Sequence, residues 1–232
     1  MIKCKNINKS FNKKNVIKNL SFNVQKGEVF ALLGGNGAGK TTTIKIILGL
    51  IKADSGNMEI KSDIKIGYSP ETPYFHPFLT EIETMRYYAK LQKLNKETMD
   101  EEIINILKLV GLGQEKKTKV KYYSKGMIQK LALAQSLLGD PDLLILDEPT
   151  AGLDAMSRVN IIDIICNLKE NGKTIILNSH ILNDVEKVAD RGVIMDNGEI
   201  IKNLDREDFN NNLEKNFIES FGGGRDVSYI SK

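Results

Sequence analysis

A glycine-rich segment at residues 34–41 constrains this chain more than any other feature of its sequence. It reads Gly-Gly-Asn-Gly-Ala-Gly-Lys-Thr and fits the pattern G-x-x-x-x-G-K-[ST], in which glycines let backbone N–H groups converge on phosphate oxygens. Lys40 supplies a positive charge for those phosphates, and the hydroxyl of Thr41 can hold a magnesium ion. The segment therefore predicts a phosphate-binding loop.

The sequence on either side of the loop supports this interpretation. Residues 29–33 form a short apolar run typical of a buried strand, and residues 42–50 have the apolar spacing of a helix. A strand, a glycine loop and a helix N-terminus together make an anion site, because the free N–H groups and the helix dipole both favour negative charge.

Composition limits the class of protein. The 232 residues are 41% hydrophobic and 27% charged, with a formal net charge of +3. That balance supports a packed core and does not indicate a nucleic-acid partner, which usually requires concentrated basic surface. Cys4 and Cys166 suggest no disulfide framework or metal pattern. Neither an apolar leader nor a run of roughly twenty apolar residues is present, so we expect another chain to supply any membrane spans.

The order of the elements predicts one α/β core with a helical insertion at about 72–140. Short strand-like runs occupy residues 2–7, 20–24, 29–33, 57–60 and 64–68. Thr80 and Glu83 form a capping box at the start of a helical block. Strand and helix alternate again from residue 143, and residues 196–198 read as a hairpin turn. A last helix is expected at 213–221, and residues 221–232 are expected to form a flexible tail.

Two acidic residues follow the apolar run at 143–146. Ligand groups of an open α/β sheet gather beyond the carboxyl ends of its strands, so we expect Asp147 and Glu148 near the phosphate loop. Asp147 suits the magnesium shell, and Glu148 suits the orientation of an attacking water. Taken alone, the pair fits helix-start chemistry equally well.

Several motifs in a fixed order resemble those of the nucleotide-binding subunit of an ABC transporter. Residues 34–42 resemble the Walker A loop, and residues 143–148 resemble Walker B. Between them, residues 123–127 (Tyr-Ser-Lys-Gly-Met) resemble the family signature. Residues 151–154 (Ala-Gly-Leu-Asp) resemble the D-loop, and residues 178–180 (Asn-Ser-His) resemble the switch-histidine region. Phe11 stands where the family has an aromatic residue. The resemblance covers about residues 2–205.

This resemblance implies an α/β fold with a P-loop NTPase core. The core has a mixed sheet, an N-terminal antiparallel β subdomain and an inserted α-helical subdomain, within one domain at 1–220. It also implies ATP and Mg²⁺ as cofactors. The implied catalytic residues are Glu148, His180 and Lys40, and the implied metal ligands are Thr41, Glu71 and Asp147. The implied nucleotide-binding residues are Phe11, Gly34, Gly35, Asn36, Gly37, Ala38, Gly39, Lys40, Thr41, Thr42, Glu71, Ser124, Gly126, Asp147 and Asp154.

Some of these roles have a simpler alternative. The resemblance implies that Phe11 stacks on adenine, although it could be a core residue. It implies that Ser124 and Gly126 face the γ-phosphate bound by a second subunit. The alternative is that Ser124 caps a helix and has no contact with nucleotide. It implies that His180 contacts the γ-phosphate, whereas His76 is given no catalytic role.

Departures from the family pattern favour one branch. Glu71 stands where a glutamine is usual, Gly35 where proline is frequent, and Lys125 and Met127 replace signature residues. The segments at 68–71 and 123–127 resemble the export branch, whose permease is a separate chain.

The expected function is therefore an ATP-hydrolysing subunit that drives export through a separate transmembrane permease. The expected partners are that permease and a second copy of the chain in a homodimer, with no nucleic acid and no membrane contact except through the permease. The expected location is cytoplasmic, on the inner face of the cell membrane. Residues 72–90, with Tyr74, Phe75 and Phe78, are the expected docking surface, although these aromatic residues could pack the insertion onto the core. The alternatives are a soluble ABC-type ATPase acting on ribosomes or nucleic acid, and a phosphate-loop NTPase outside the family.

Overall fold

The computed structural model of the chain describes residues 1–113, 117–210 and 212–221. Nearly all of the tail expected at 221–232 lies outside these residues. The strands are β1 (Ile2–Phe11), β2 (Lys14–Val24), β3 (Val29–Gly34), β4 (Ser55–Ile60), β5 (Ile66–Ser69), β6 (Leu143–Asp147), β7 (Thr174–Asn178), β8 (Arg191–Asp196) and β9 (Glu199–Leu204). The helices are α1 (Lys40–Ile47), α2 (Glu81–Leu91), α3 (Met99–Leu109), α4 (Lys125–Ser136), α5 (Ala155–Glu170), α6 (Leu182–Val188) and α7 (Leu213–Ser220), with 3₁₀ turns at Val120–Tyr122 and Arg206–Phe209.

The chain divides into two compact units. The first comprises Met1–Asp63 together with the chain from Gly172 onward, and the second comprises Ile64–Asn171. The first holds β1–β4, β7–β9, α1, α6 and α7, and the second holds β5, β6 and α2–α5.

The N-terminal sheet of the first unit is antiparallel, in the order β2-β1-β4. Its first two strands meet in a tight hairpin at Asn12 and Lys13, whose φ angles are 46° and 66°. Two residues with positive φ match the right-handed twist of the flanking strands. The sequence predicted strands only at 2–7 and 20–24, so both strands are longer than expected.

The other sheet strands of the first unit are ordered β7-β3-β8-β9. β3 runs parallel to both β7 and β8, and β9 returns antiparallel to β8. Every residue of β3 and β7 is buried, as expected of parallel strands covered on both faces. The expected mixed sheet and the separate antiparallel sheet are confirmed.

Helices dominate the second unit, where β5 pairs parallel with β6. The predicted capping box opens α2: the Glu83 N–H donates to Thr80 Oγ1 at 3.3 Å, and the Thr80 N–H donates to Glu83 Oε2 at 2.8 Å. The apolar stripes form the core of this unit, since Met85, Ile103 and Leu131 are at most 1% exposed.

Within the part of the chain that the structure describes, no helix combines the length and apolar character needed to cross a membrane.

Candidate functional site

The phosphate loop connects buried strand β3 to the start of α1, and two of its glycines are fixed by sterics. Gly34 has φ 147°, and a Cβ there would lie 2.2 Å from the Met195 carbonyl oxygen. Gly39 has φ 104°, and a Cβ there would lie 2.7 Å from Ile17 Cδ1. Gly35 has no such neighbour within 4 Å, so a side chain would fit there. At Gly34 and Gly39 the loop backbone therefore packs so closely against neighbouring residues that a side chain has no room.

Lys40 points its ammonium into this loop. Lys40 Nζ donates to the carbonyl oxygens of Gly34 at 2.7 Å and Gly35 at 3.1 Å, and the residue is 6% exposed. A cation as the first residue of a helix is unfavourable toward the helix dipole, and the first turn of α1 has no acidic residue. A buried ammonium at the start of a helix, beside glycines without room for a side chain, fits a phosphate ligand. Thr41 is exposed at the same helix start, where its hydroxyl fits the predicted role of magnesium ligand.

A hairpin turn supports the loop from behind. The Gly198 N–H donates to the Ala38 carbonyl at 3.1 Å, and the Lys18 N–H donates to the Gly198 carbonyl at 2.8 Å. Asn197 and Gly198 have φ angles of 47° and 84°, so the predicted hairpin is confirmed. Its contact with the loop was not predicted, because no local pattern joins residues so far apart in the chain.

Phe11 lies at the tip of the β1–β2 hairpin and is 44% exposed. Lys9 Nζ lies 5.3 Å from the centre of its ring. This exposure argues against the core alternative, because the ring presents a face at the surface of the first unit. Its stacking on adenine stays a prediction.

His180 is exposed directly after β7. The Ile181 N–H donates to the side chain of buried Ser179 at 3.1 Å, which fixes the turn that carries the histidine. Within the first unit, the structure thus gives His180 the position at a strand end that the sequence predicted. His76 in the second unit is exposed, and its Nδ1 accepts from the Phe78 N–H at 3.4 Å.

The acidic pair of the second unit lies at the end of β6. Asp147 is 2% exposed, and Tyr68 donates its hydroxyl to Asp147 Oδ2 at 3.4 Å. Burial first, and then the charge of Asp147, raises the pKa of Tyr68 to about 12, with a smaller contribution from Glu71. The tyrosine therefore stays a neutral donor at physiological pH. It holds a carboxylate that is suited to a metal shell, and this contact was not predicted from the sequence.

Glu148 has an unusual backbone conformation. Its φ is 50°, and it is 8% exposed. Only a few per cent of residues other than glycine adopt this left-handed region, and such residues cluster at functional sites. The Ala151 N–H donates to the Glu148 carbonyl at 3.2 Å, closing a turn. The conformation sets the direction of the carboxylate, which supports a role beyond helix-start chemistry.

Glu71 is exposed two residues after β5. Its metal contact stays a prediction.

The signature and D-loop residues meet at the starts of α4 and α5. Ser124 caps α4 as predicted, since its Oγ accepts from the Met127 N–H at 3.2 Å. Asp154 caps α5 by accepting from the Ser157 N–H at 2.9 Å and the Ser157 hydroxyl at 2.7 Å, and these bonds lower the pKa of Asp154. A Cβ on Gly126 would lie 2.7 Å from Ser157 Oγ. Glycine therefore lets the two helix starts approach each other closely.

Comparison with known proteins gives the class of this site. The sequence profile described as ABC transporter matches residues 17–151. An ABC transporter ATP-binding protein of Synechocystis is 45% identical over 195 residues, covering 80% of this chain and 55% of the relative. The linearmycin resistance ATP-binding protein of Bacillus subtilis is 38% identical, covering 87% and 68%. The lantibiotic transport ATP-binding protein of Streptococcus pyogenes is 39% identical, covering 94% and 96%.

Solved structures agree. An ATP-binding subunit of an ABC transporter superposes with a TM-score of 0.84 at 29% identity, covering 95% of this chain and 99% of that one. A dimeric ATP-binding cassette in a post-hydrolysis state with ADP and phosphate gives 0.80 at 25% identity, covering 89% and 99%. The chain belongs to the ABC transporter family and carries its ATP-binding ATPase domain. It spans little more than half of the Synechocystis relative and nearly all of the streptococcal one.

Proposed function

We propose that this chain binds and hydrolyses ATP as the motor subunit of an ABC exporter, coupled to a separate transmembrane permease. The observation that carries the proposal is the Lys40 ammonium held inside the glycine loop by two carbonyl oxygens. The names of the linearmycin and lantibiotic relatives support export, and nothing comparable favours a ribosomal or nucleic-acid role.

Each residue of the proposed site has a distinct role in ATP hydrolysis. Lys40 neutralises phosphate charge, Glu148 orients and polarises the attacking water, and His180 holds the γ-phosphate side of the reaction. Thr41, Asp147 and Glu71 would hold Mg²⁺, which when bound offsets phosphate charge as hydrolysis proceeds. Little covalent chemistry falls to the protein, so catalysis rests on positioning and charge.

Ser124 and Gly126 serve the nucleotide held by a second copy of the chain. The dimeric cassette with ADP and phosphate supports this arrangement. The capped start of α4 offers N–H groups and a hydroxyl to an anion, and the helix dipole adds to the attraction. Each complete site then uses the phosphate loop and Glu148 of one subunit with Ser124 of the other.

Mixing two inactive variants tests this function. Ser124→Arg subunits and Glu148→Gln subunits should each hydrolyse ATP poorly, whereas their heterodimer contains one site with both Glu148 and Ser124 intact. Because half the sites are complete, the purified heterodimer should recover about half of the unmodified rate, by the simple count of sites. A demonstrated heterodimer with no recovered hydrolysis would show that the signature does not act between subunits.

An exposed aromatic patch supports docking of the permease on the second unit. We define it as Phe78 and Tyr122, which are 57% and 70% exposed, and Tyr74 of the expected docking surface is 82% exposed. Lys121 Nζ lies 5.3 Å from the Phe78 ring centre and 4.7 Å from that of Tyr122, linking the two rings. Clustered exposed apolar groups often mark a partner surface. Phe75, which the sequence placed on this surface, is 7% exposed and packs edge-on against Tyr88, so that assignment is wrong.

Charged substitutions in the aromatic patch should therefore block recruitment to the permease. Phe78→Glu with Tyr122→Glu places two carboxylates where apolar contact is expected, and ATP binding should be unchanged because neither ring belongs to the phosphate loop. Leu50→Glu is the matched control, since Leu50 is 66% exposed in the first unit. Co-purification with the proposed permease is the measurement. Normal co-purification of the double variant would place docking elsewhere.

A further inference from the structure

A buried carboxylate outside the set of predicted site residues stands next to the signature. Glu81, the first residue of α2, is 0% exposed. Tyr123 donates its hydroxyl to Glu81 Oε2 at 2.7 Å, and Glu81 Oε1 has no hydrogen-bond partner among the described residues. Burying a carboxylate is costly, and a buried ionic group is weak evidence for stability. Glu81 therefore needs an explanation other than packing.

Helix capping does not supply that explanation. Thr80 and Glu83 already form the complete capping box of α2. Glu81 gains from the helix dipole, but a solvated carboxylate in the first turn would gain as much without being buried. The remaining feature of its environment is the bond to Tyr123.

Backbone pairing joins the segments on either side of this bond. The Val120 N–H donates to the Leu79 carbonyl at 2.8 Å, and the Lys121 N–H donates to the Pro77 carbonyl at 3.0 Å. Thr80 and Lys119 form an isolated antiparallel bridge. Residues 77–80, which lie within the expected docking segment at 72–90, are thus paired with residues 119–121, which lead into the signature.

The hydrogen bond that Tyr123 donates to Glu81 extends this pairing to the residue before Ser124. Tyr123 immediately precedes Ser124, whose side chain caps α4. Because Glu81 accepts a hydrogen bond from the Tyr123 hydroxyl, it fixes the residue before the cap Ser124. A movement of the start of α2 would therefore be passed to Ser124. The Tyr123 N–H also donates to the Val120 carbonyl at 3.0 Å, so the hydroxyl adds a direct bond to α2 at a residue whose backbone is already paired.

We propose that Glu81 and Tyr123 are positioning residues for ATP hydrolysis, holding Ser124 in register with the docking segment. This inference rests on the proposed function, because it takes Ser124 to act on the nucleotide of the second subunit. It gives the signature, residues 123–127, a functional hydrogen bond to Glu81 of α2.

The test places Tyr123→Phe on one side of the mixed heterodimer. On the Glu148→Gln subunit it disturbs the signature of the one complete site, and recovered hydrolysis should fall about tenfold, as expected for one bond to a charged group. On the Ser124→Arg subunit it lies in a site already inactivated, and recovered hydrolysis should not change. A loss of structural stability alone would act equally from both sides, and an equal effect, or none, overturns the proposal.

Two further variants separate positioning from folding. Glu81→Gln keeps an acceptor for the Tyr123 hydroxyl, and its hydrolysis rate should stay within about twofold of the parent, less than the tenfold expected for losing the bond. Glu81→Leu with Tyr123→Phe removes both polar groups, so the melting temperature should recover relative to Tyr123→Phe while hydrolysis stays low. Hydrolysis that returns with stability would overturn the proposal.

The heterodimer without any change at Tyr123 tests the proposed function itself. If it shows no recovered hydrolysis, the proposed function fails, and this result is distinguishable from failure of the Glu81 and Tyr123 proposal alone.

Discussion

Lys40→Ala is expected to weaken ATP binding about 100-fold or more, since charge-assisted contacts worth roughly 3 kcal/mol are lost. The ammonium is buried within the loop and already makes short contacts with the Gly34 and Gly35 carbonyls. Phosphate charge placed there would have no other lysine or arginine from the loop itself, residues 34–41, to balance it. Calorimetric titration with ATP and Mg²⁺ measures the change.

Lys45→Ala is the matched control for that experiment. Lys45 lies in the last turn of the same helix and is exposed, so its removal takes away the same charge without touching the loop. Its ATP affinity should stay close to that of the parent. Equal affinities for Lys40→Ala and the parent would refute the phosphate assignment.

Glu148→Gln is expected to lower the hydrolysis rate about 100-fold or more, because proton transfer by a positioned group contributes about 10²- to 10⁴-fold. Glutamine keeps the size of the side chain and makes the same demand on the backbone at φ 50°, so folding and ATP binding should persist. Steady-state phosphate release measures the loss.

Glu170→Gln makes the same chemical change at an exposed residue at the end of α5. That variant should hydrolyse ATP at the parent rate. A Glu148→Gln protein with the parent rate would exclude Glu148 as the residue that orients the attacking water.

Features set by neighbouring residues were predictable from the sequence. The capping box at Thr80 and Glu83, the cap at Ser124 and the hairpin at 196–198 each depend on side chains within about one turn. The glycine loop belongs to the same group, because its pattern fixes both the backbone and the ligand chemistry.

The N-terminal hairpin was only partly predictable. Asparagine and lysine have low strand propensity, and they fill much of residues 8–19, so the alternation that predicts a strand is hidden. Asn6 and Asn19 adopt positive φ angles of 52° and 47° within the strands, where asparagine is tolerated better than most residues. Pairing between the two strands stabilises what local propensity does not favour.

Long-range packing decided the features that the sequence did not predict. Phe75 belongs to an aromatic run that looks exposed, yet it is buried because Tyr88 of α2 packs against it. Glu81 looks like an ordinary first-turn carboxylate, yet Tyr123 approaches from a segment 42 residues away. The left-handed backbone at Glu148 likewise lies in the turn after β6. Pro149 signals a turn there, but no residue type signals that Glu148 itself adopts positive φ.

We propose that ATP joins two copies of this chain into one hydrolytic unit. The most direct test is the light-scattering mass of Glu148→Gln protein with and without ATP and Mg²⁺, since that variant should bind ATP and fail to release the dimer by hydrolysis. We expect the mass of one chain without nucleotide and twice that mass with it. A protein that binds ATP, as shown by titration, and keeps the mass of one chain at every concentration measured would show that ATP does not join two copies of the chain.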